Sequence, residues 1–349
     1  MISVHDMFYV TTNDDAIRLR AQNGGAVTTI MKYALESKAV DAVLAVVRGA
    51  DINDGVPTLI TRPSDVIKSA GSLHSTHINM GKFIAEYLDG AKKMRIAVSV
   101  KPCDAKTLTV LGEKGLVNLD NIIMLGLNCG GTLRHIRSRE AIASGNMVMD
   151  EFVSDELEKN ERNKRDNCLR CETKIPYLSD LACGNWGIIG PRAGKATFVE
   201  VCSGKGAKLL QGAIDSGVLT VKRADPAGIE LREKINYGML KLARKRQDEQ
   251  FFEKGHDYYY WDRQFQRCIK CMGCIVHCPV AFYAKISEMP FEKGGELPPK
   301  FDFHIARANV VGANCINCGC CEDMCPMDIP VSKFHHDIAM RIRAGEKPF

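Results

Sequence analysis

Residues 268–279 read CIKCMGCIVHCP, and residues 315–326 read CINCGCCEDMCP. Each holds the spacing C-x2-C-x2-C-x3-C followed by proline. The first run is Cys268, Cys271, Cys274 and Cys278 before Pro279; the second is Cys315, Cys318, Cys321 and Cys325 before Pro326. This is the bacterial two-cluster ferredoxin pattern. Three cysteines at steps of three on a tight loop cup one cubane cluster, while the fourth points away and ligates the other. The expected assignment is therefore crossed: cluster A on Cys268, Cys271, Cys274 and Cys325, cluster B on Cys315, Cys318, Cys321 and Cys278. Zinc sites usually pair C-x2-C units without a third cysteine and terminal proline, which makes zinc the weaker reading. Cys320 falls outside the spacing. It reads as a small loop residue beside the cluster, with a substitute ligand or oxygen-sensitive thiol as the sharper alternative.

Around these runs, YYYWDRQFQR, FDFHIARANV and PVSKFHHDIAMRIR read as helices and EKGGELPP as a loop. The expectation over 251–349 is a ferredoxin-like domain with two 4Fe-4S clusters, largely helical. A compact β-containing module is the alternative.

Upstream, three short apolar runs read as buried strands: VDAVLAVV (40–47), RIAVSV (95–100) and NIIMLGL (121–127). Helical patterns lie between them. In GAVTTIMKYALESK, Val27, Ile30, Met31, Ala34 and Leu35 fall on one face. Strands alternating with helices predict an α/β domain over 1–250 with a largely parallel sheet. Ligands in open α/β sheets gather at the carboxyl ends of strands. KPCD (101–104) and NCGG (128–131) follow the second and third strands, so Cys103 and Cys129 fall where that rule places chemistry. With Cys168 and Cys171 of NCLRC they would supply four thiolates for a third cluster. The rival is a redox disulfide between Cys168 and Cys171, with Cys103 and Cys129 buried and inert. Glycine-rich turns at NGGA (23–26), NCGG and CGNWG (183–187) allow close backbone approach to a ligand. The first opens a helix, where free N–H groups favour a phosphate. None is a G-x-G-x-x-G fingerprint.

Composition narrows the class. Fifteen cysteines in 349 residues, with no basic-then-apolar layout in MISVHDMFYVTTNDD, favour metal binding over disulfides and lead us to expect a cytoplasmic protein. No apolar run approaches a membrane span. The net charge of +5 is mild, and KLARKR (241–246) reads as a solvated helix face, so no nucleic-acid partner is expected.

The ordered segments AQNGGAVTTIMKYALESKAVDAVLAVVRG, SAGSLHSTHINMGK, KPCDAKTL, NLDNIIMLGLNCGGT, NCLRCETKIPYLSDLACGNWG, CIKCMGC and NCINCGCCEDMCPMDIP resemble the coenzyme F420 hydrogenase and dehydrogenase beta subunits. They are most similar to the formate-dehydrogenase branch of methanogenic archaea. The resemblance implies FAD, coenzyme F420 as substrate and iron–sulfur clusters, hence an α/β flavin- and F420-binding domain joined to the ferredoxin-like one. It places the N-terminal-domain cluster on Cys103, Cys129, Cys168 and Cys171, with Cys183 and Cys202 as reserves. Hydride would pass between F420 and FAD, and single electrons through the clusters to or from an alpha subunit holding a molybdenum or tungsten pterin. A heterodisulfide reductase or another F420H2-oxidising complex is the alternative partner, and a flavin-free electron relay the alternative role. Flavin candidates are Asn23, Gly24, Gly25, Thr28, Ser69, Gly71, Ser72, His74, Asn128, Gly130 and Gly131, with Lys174, Gly184 and Asn185 as further ones. Lys101 and Lys174 would meet the anionic F420 tail or be solvated. No catalytic acid or base is named. The stretch PVAFYAKISEM lacks cysteines that the branch carries there, which bears on the complex rather than on the chemistry.

Overall fold

The computed structural model describes residues 2–50, 54–73, 77–134, 144, 163–251, 258–282 and 299–346. The chain forms two compact units: Met1–Lys164 with Thr173–Leu240, and Arg165–Glu172 with Lys241–Phe349. The division falls near 240, and the second unit also takes in a short upstream segment.

In the first unit the elements run β1 (Met7–Thr12), α1 (Asp15–Arg20), α2 (Ala26–Glu36), β2 (Ala42–Arg48), β3 (Gly55–Ile60), α3 (Met80–Tyr87), β4 (Ile96–Val100), α4 (Pro102–Glu113), β5 (Ile122–Leu127), β6 (Leu181–Gly184), β7 (Thr197–Val201), α5 (Gly204–Asp215), β8 (Leu219–Arg223) and α6 (Pro226–Phe251). The strands form one sheet in the order β3-β2-β4-β5-β6-β7-β1-β8. Strands β2, β4, β5 and β6 run parallel. The pairs β2–β3, β6–β7, β7–β1 and β1–β8 are antiparallel. The sheet is therefore mixed, a correction to the largely parallel one expected. The three strands read from sequence are β2, β4 and β5, all in the parallel part. A parallel return needs a long crossover. Between β6 and β7 the chain instead turns at Gly187, Gly190 and Gly194, all at positive φ, and comes back antiparallel.

Local signals set the helices. Asp14 caps α1, its carboxylate accepting the N–H groups of Ala16 at 3.0 Å and Ile17 at 3.2 Å. Helix α2 starts after Gly25, whose φ of 74° suits glycine. Its Ile30, Met31 and Ala34 pack with Val43, Ala97, Leu125 and Val199 in the main core. A charged pair is also buried in this unit. Glu200 of β7 meets Arg232 of α6 at 3.2 Å, and that guanidinium lies 4.8 Å over the Phe198 ring.

The second unit contains α7 (Tyr258–Gln266), α8 (Lys300–Val311) and α9 (Val331–Arg343), and no strand occurs among its described residues. Its centre is aromatic: Phe265 stands edge-on to Phe334 at 4.8 Å and stacks with Trp261 at 5.6 Å. The two cysteine runs share a backbone path. Lys270 and Asn317 occupy matching positions, each at φ 54°, and Met272 and Gly319 match at 62° and 78°. Each path then enters a single helical turn, Gly273–Val276 or Cys320–Asp323. Left-handed non-glycine residues are uncommon and collect at functional sites. In the last part of α6, Lys241, Arg244 and Lys245 are exposed while Ala243 is buried, so the basic run lies on a solvated face.

Segment Arg165–Glu172 joins this unit through polar contacts. Asn167 and Asn317 exchange amide-to-carbonyl hydrogen bonds at 3.1 and 3.0 Å. Arg165 donates to the Cys318 carbonyl at 3.1 Å and pairs with Asp323. Arg170 donates to Ser332 at 2.5 Å. A Cβ on Gly319 would stand 2.4 Å from the Asn167 side chain, so the approach requires glycine. Cys168 and Cys171, read as part of the N-terminal domain, thus belong to the second unit, whereas Cys103 and Cys129 lie in the first.

Candidate functional site

The parallel strands end side by side, and their carboxyl ends open into a cavity of about 450 Å³. That is within the range of pockets for cofactors and small molecules. Ala45 and Val46 come from β2, Ser99 and Val100 from β4, Leu127 from β5 and Gly184 from β6. Gly25, Ala26, Val27 and Thr28 bring the start of α2 to the wall, with Met31 one turn further.

The residues expected from sequence divide as follows. Asn23, Gly25, Thr28, Ser69, Gly71, Ser72, Asn128, Gly130, Gly131, Gly184 and Asn185 all line this cavity. Gly24 does not. Its α-carbon packs on backbone, where a Cβ would come within 2.4 Å of the Val10 carbonyl oxygen. Lys174 is also off the wall: it is buried, and its carbonyl accepts the Cys129 N–H at 2.9 Å. His74 lies outside the described residues. Sequence reasoning missed Met31, Ile78, Met80, Asp104, Thr132 and Trp186 on the wall. Trp186 sits inside the quoted CGNWG, and its neighbours were the available signal.

Asn128 is shaped for a ligand. Its Oδ1 is buried without a hydrogen-bond partner, although its amide reaches Asn185 at 3.4 Å. A Cβ on Gly184 would fall 1.4 Å from that oxygen, so the asparagine keeps its place only beside glycine. Lys101 supplies a cation at the end of β4. Its ammonium donates to the Ile78 carbonyl at 2.8 Å and to Asp104 at 2.9 Å. Burial opposes that charge, but Asp104 and the sulfurs of Cys103 and Cys129 outweigh it and hold the lysine above its ordinary value. Asp104, fully buried, also accepts the N–H groups of Met80 and Lys101. It therefore ties α3 to α4 under the cavity. Cys129 is on the wall itself, while Cys103 lies in the first turn of α4. Cys183 is inside the core, where burial pushes its thiol up to about 12. Burial likewise pushes Cys202 up to about 12, and it donates to the Glu200 carbonyl.

In the second unit, Cys268, Cys271, Cys274 and Cys325 line one pocket, and Cys278, Cys315, Cys318 and Cys321 line another. Each set takes three cysteines from one run and the fourth from the other. Among the described residues no three His, Cys, Asp or Glu side chains converge on a single-ion position. The two sets instead surround small hollows. The Cys268 sulfur accepts the Lys270 N–H at 3.3 Å, and the Cys325 sulfur that of Ile329 at 3.5 Å. Burial raises the thiols of Cys274, Cys278 and Cys315, the last to about 12. Thiols so buried ionise only against a strong compensating positive charge, such as bound metal. Cys320 is absent from both linings. Its hydrogen bond, ahead of burial, drives the Cys318 thiol upward.

Crossed four-cysteine sets in one unit and a strand-end cavity in the other mark the class as an iron–sulfur protein with an additional α/β unit. Residues 7–85 match the family description "Coenzyme F420 hydrogenase/dehydrogenase, beta subunit N-term", residues 93–227 match its C terminus, and residues 261–326 match "4Fe-4S dicluster domain". The chain is 40% identical to the F420-dependent formate dehydrogenase subunit beta of Methanocaldococcus jannaschii, over 96% of this chain and 93% of that protein. It is 39% identical to F420-dependent formate dehydrogenase 1 subunit beta of Methanococcus maripaludis, over 97% and 93%. A chain of the F420-reducing NiFe hydrogenase complex from Methanosarcina barkeri shares the fold at a TM-score of 0.57 and 17% identity, over 74% of this chain and 97% of that one. The chain belongs to the coenzyme F420 hydrogenase/dehydrogenase beta-subunit family, a family of oxidoreductase subunits. Among the described residues no helix is long and apolar enough to cross a membrane.

Proposed function

We propose that this chain is the F420-handling flavoprotein subunit of a cytoplasmic formate dehydrogenase, exchanging electrons with a pterin-bearing alpha subunit. One observation carries the reading: Cys129, a candidate cluster ligand, stands on the wall of the cavity that fits a cofactor. A group bound there would touch a residue of the electron path. FAD, when bound, supplies the exchange between the hydride of F420 and the single electrons of the clusters.

The walls suit that group. Asn23, Gly25 and Thr28 would hold its phosphates at the start of α2, where backbone N–H groups and the helix dipole favour anions. Asn128, with its orphaned oxygen, and Asn185 would meet the polar edge of the flavin ring. Met31, Leu127 and Trp186 offer the apolar surface that a ring system needs. The proposal includes the third cluster implied by the family resemblance, on Cys103, Cys129, Cys168 and Cys171. The crossed sets in the second unit would hold clusters A and B.

Anaerobically purified protein carrying FAD, mixed with reduced F420 and an artificial electron acceptor, should consume the reduced F420. No consumption at saturating concentrations refutes the proposal. Iron and flavin content test its parts: about twelve irons and one flavin per chain agree with three clusters, and about eight irons would remove the third.

A further inference from the structure

Arg307 lies at the middle of α8 and is 2% exposed. Its Nη2 donates to the Cys274 carbonyl at 2.5 Å, its Nη1 meets His335 Nε2, and its Nε has no partner. It lines the Cys278, Cys315, Cys318 and Cys321 pocket while bonding to a cysteine of the other. Among the described residues no carboxylate pairs with it. The negative groups that act on it are the sulfurs of Cys274, Cys321 and Cys278, the second also by a hydrogen bond. Burial, followed by the Arg307 charge itself, pushes His304 down to about 3 and moves His335 in the same direction.

A buried guanidinium without a counter-charge is strongly destabilising. Among the described residues, the counter-charges acting on it are the sulfurs of Cys274 in one set and of Cys278 and Cys321 in the other. We propose that Arg307 is the common counter-ion of clusters A and B, raising both reduction potentials together. This rests on the dicluster reading and adds a control residue to it. An electron added to either cluster increases its negative charge. A fixed cation beside both sets, in a medium of low polarity, favours each reduced state. Because one guanidinium serves both, its charge shifts the two potentials in the same direction.

The test is an EPR-monitored redox titration of the anaerobically purified protein with iron determination, on wild type, Arg307→Gln and Arg307→Lys. Glutamine keeps a donor for the Cys274 carbonyl and removes the charge; lysine keeps the charge. In Arg307→Gln both midpoints should fall by at least the equivalent of tenfold in the reduction equilibrium, about 59 mV for one electron. Arg307→Lys should stay within threefold of wild type. Unmoved potentials in a fully loaded Arg307→Gln protein overturn the proposal, as does movement of one cluster alone. If the glutamine variant fails to load iron, Arg307→Lys decides: near-wild-type potentials support the counter-ion role, and a tenfold shift overturns it. Wild-type protein without the eight irons of two clusters would refute the dicluster reading instead.

Discussion

Cys274 and Cys325 lie far apart in sequence yet line one pocket with Cys268 and Cys271. Replacing them by alanine, singly and together, tests whether they share a cluster. Each 4Fe-4S cluster holds four irons, so the two sets together hold about eight. If both residues ligate cluster A, either single variant loses about four irons and the double variant loses no more. If each run kept its own cluster, the double variant would lose about eight. This is the logic of a double-mutant cycle: sites that act as one unit do not add. Iron and acid-labile sulfide per chain, with EPR spin integration after dithionite reduction, supply the readout. Circular dichroism confirms that the protein is folded. The pair Cys278→Ala and Cys321→Ala should behave the same way for cluster B. An additive loss in the Cys274 and Cys325 pair would show that the crossed assignment is wrong, whatever the total iron.

Glu200→Ala leaves the buried Arg232 guanidinium without its carboxylate and should destabilise the first unit by about 3–5 kcal/mol; an unchanged melting temperature would contradict this. Gly184→Ala drives a methyl group onto Asn128 and should lower the flavin bound per chain at unchanged iron content, so full flavin retention would count against the cavity as its site. Asp14→Ala should cost about 1 kcal/mol near neutral pH through loss of the cap on α1. Lys32, followed by the Ile17 N–H, holds the Asp14 carboxyl below its ordinary 3.8. Its contribution is therefore complete above that value and fades as pH falls through the lower folded one. The Tm difference between variant and wild type should narrow below pH 3.8, and a constant difference would refute the ion pair's share.

Strands β2, β4 and β5 were legible because each is a short apolar run bounded by polar turns. Strand β6 was not: its four residues, LACG, are too few for a pattern. Strand β7 hides behind Glu200, a charge that would argue against burial until Arg232, far along the chain, is seen to answer it. The glycine turns at the cavity were readable from their company with cysteines, yet Gly24 and Gly25 look alike in sequence. Only the fold shows that one packs on backbone and the other faces the cavity. The crossed sets followed from spacing alone, because loop geometry dictates which cysteine points away. The attachment of Arg165–Glu172 to the second unit was illegible. It rests on Arg165, Asn167 and Arg170, polar residues without periodicity, whose partners lie some 150 residues later.

That attachment also shapes how the protein is made. The ribosome finishes Asn167 well before Asn317 and Ser332 exist. At about 5–20 residues per second the wait is on the order of ten seconds. Until then Cys168 and Cys171 have no structural home in their own unit. A fragment cut at 241 would keep both ferredoxin runs but leave Asn317, Asp323 and Ser332 facing water in place of their upstream partners. The ferredoxin unit is discontinuous in the gene, and it cannot be moved to another protein as one contiguous cassette.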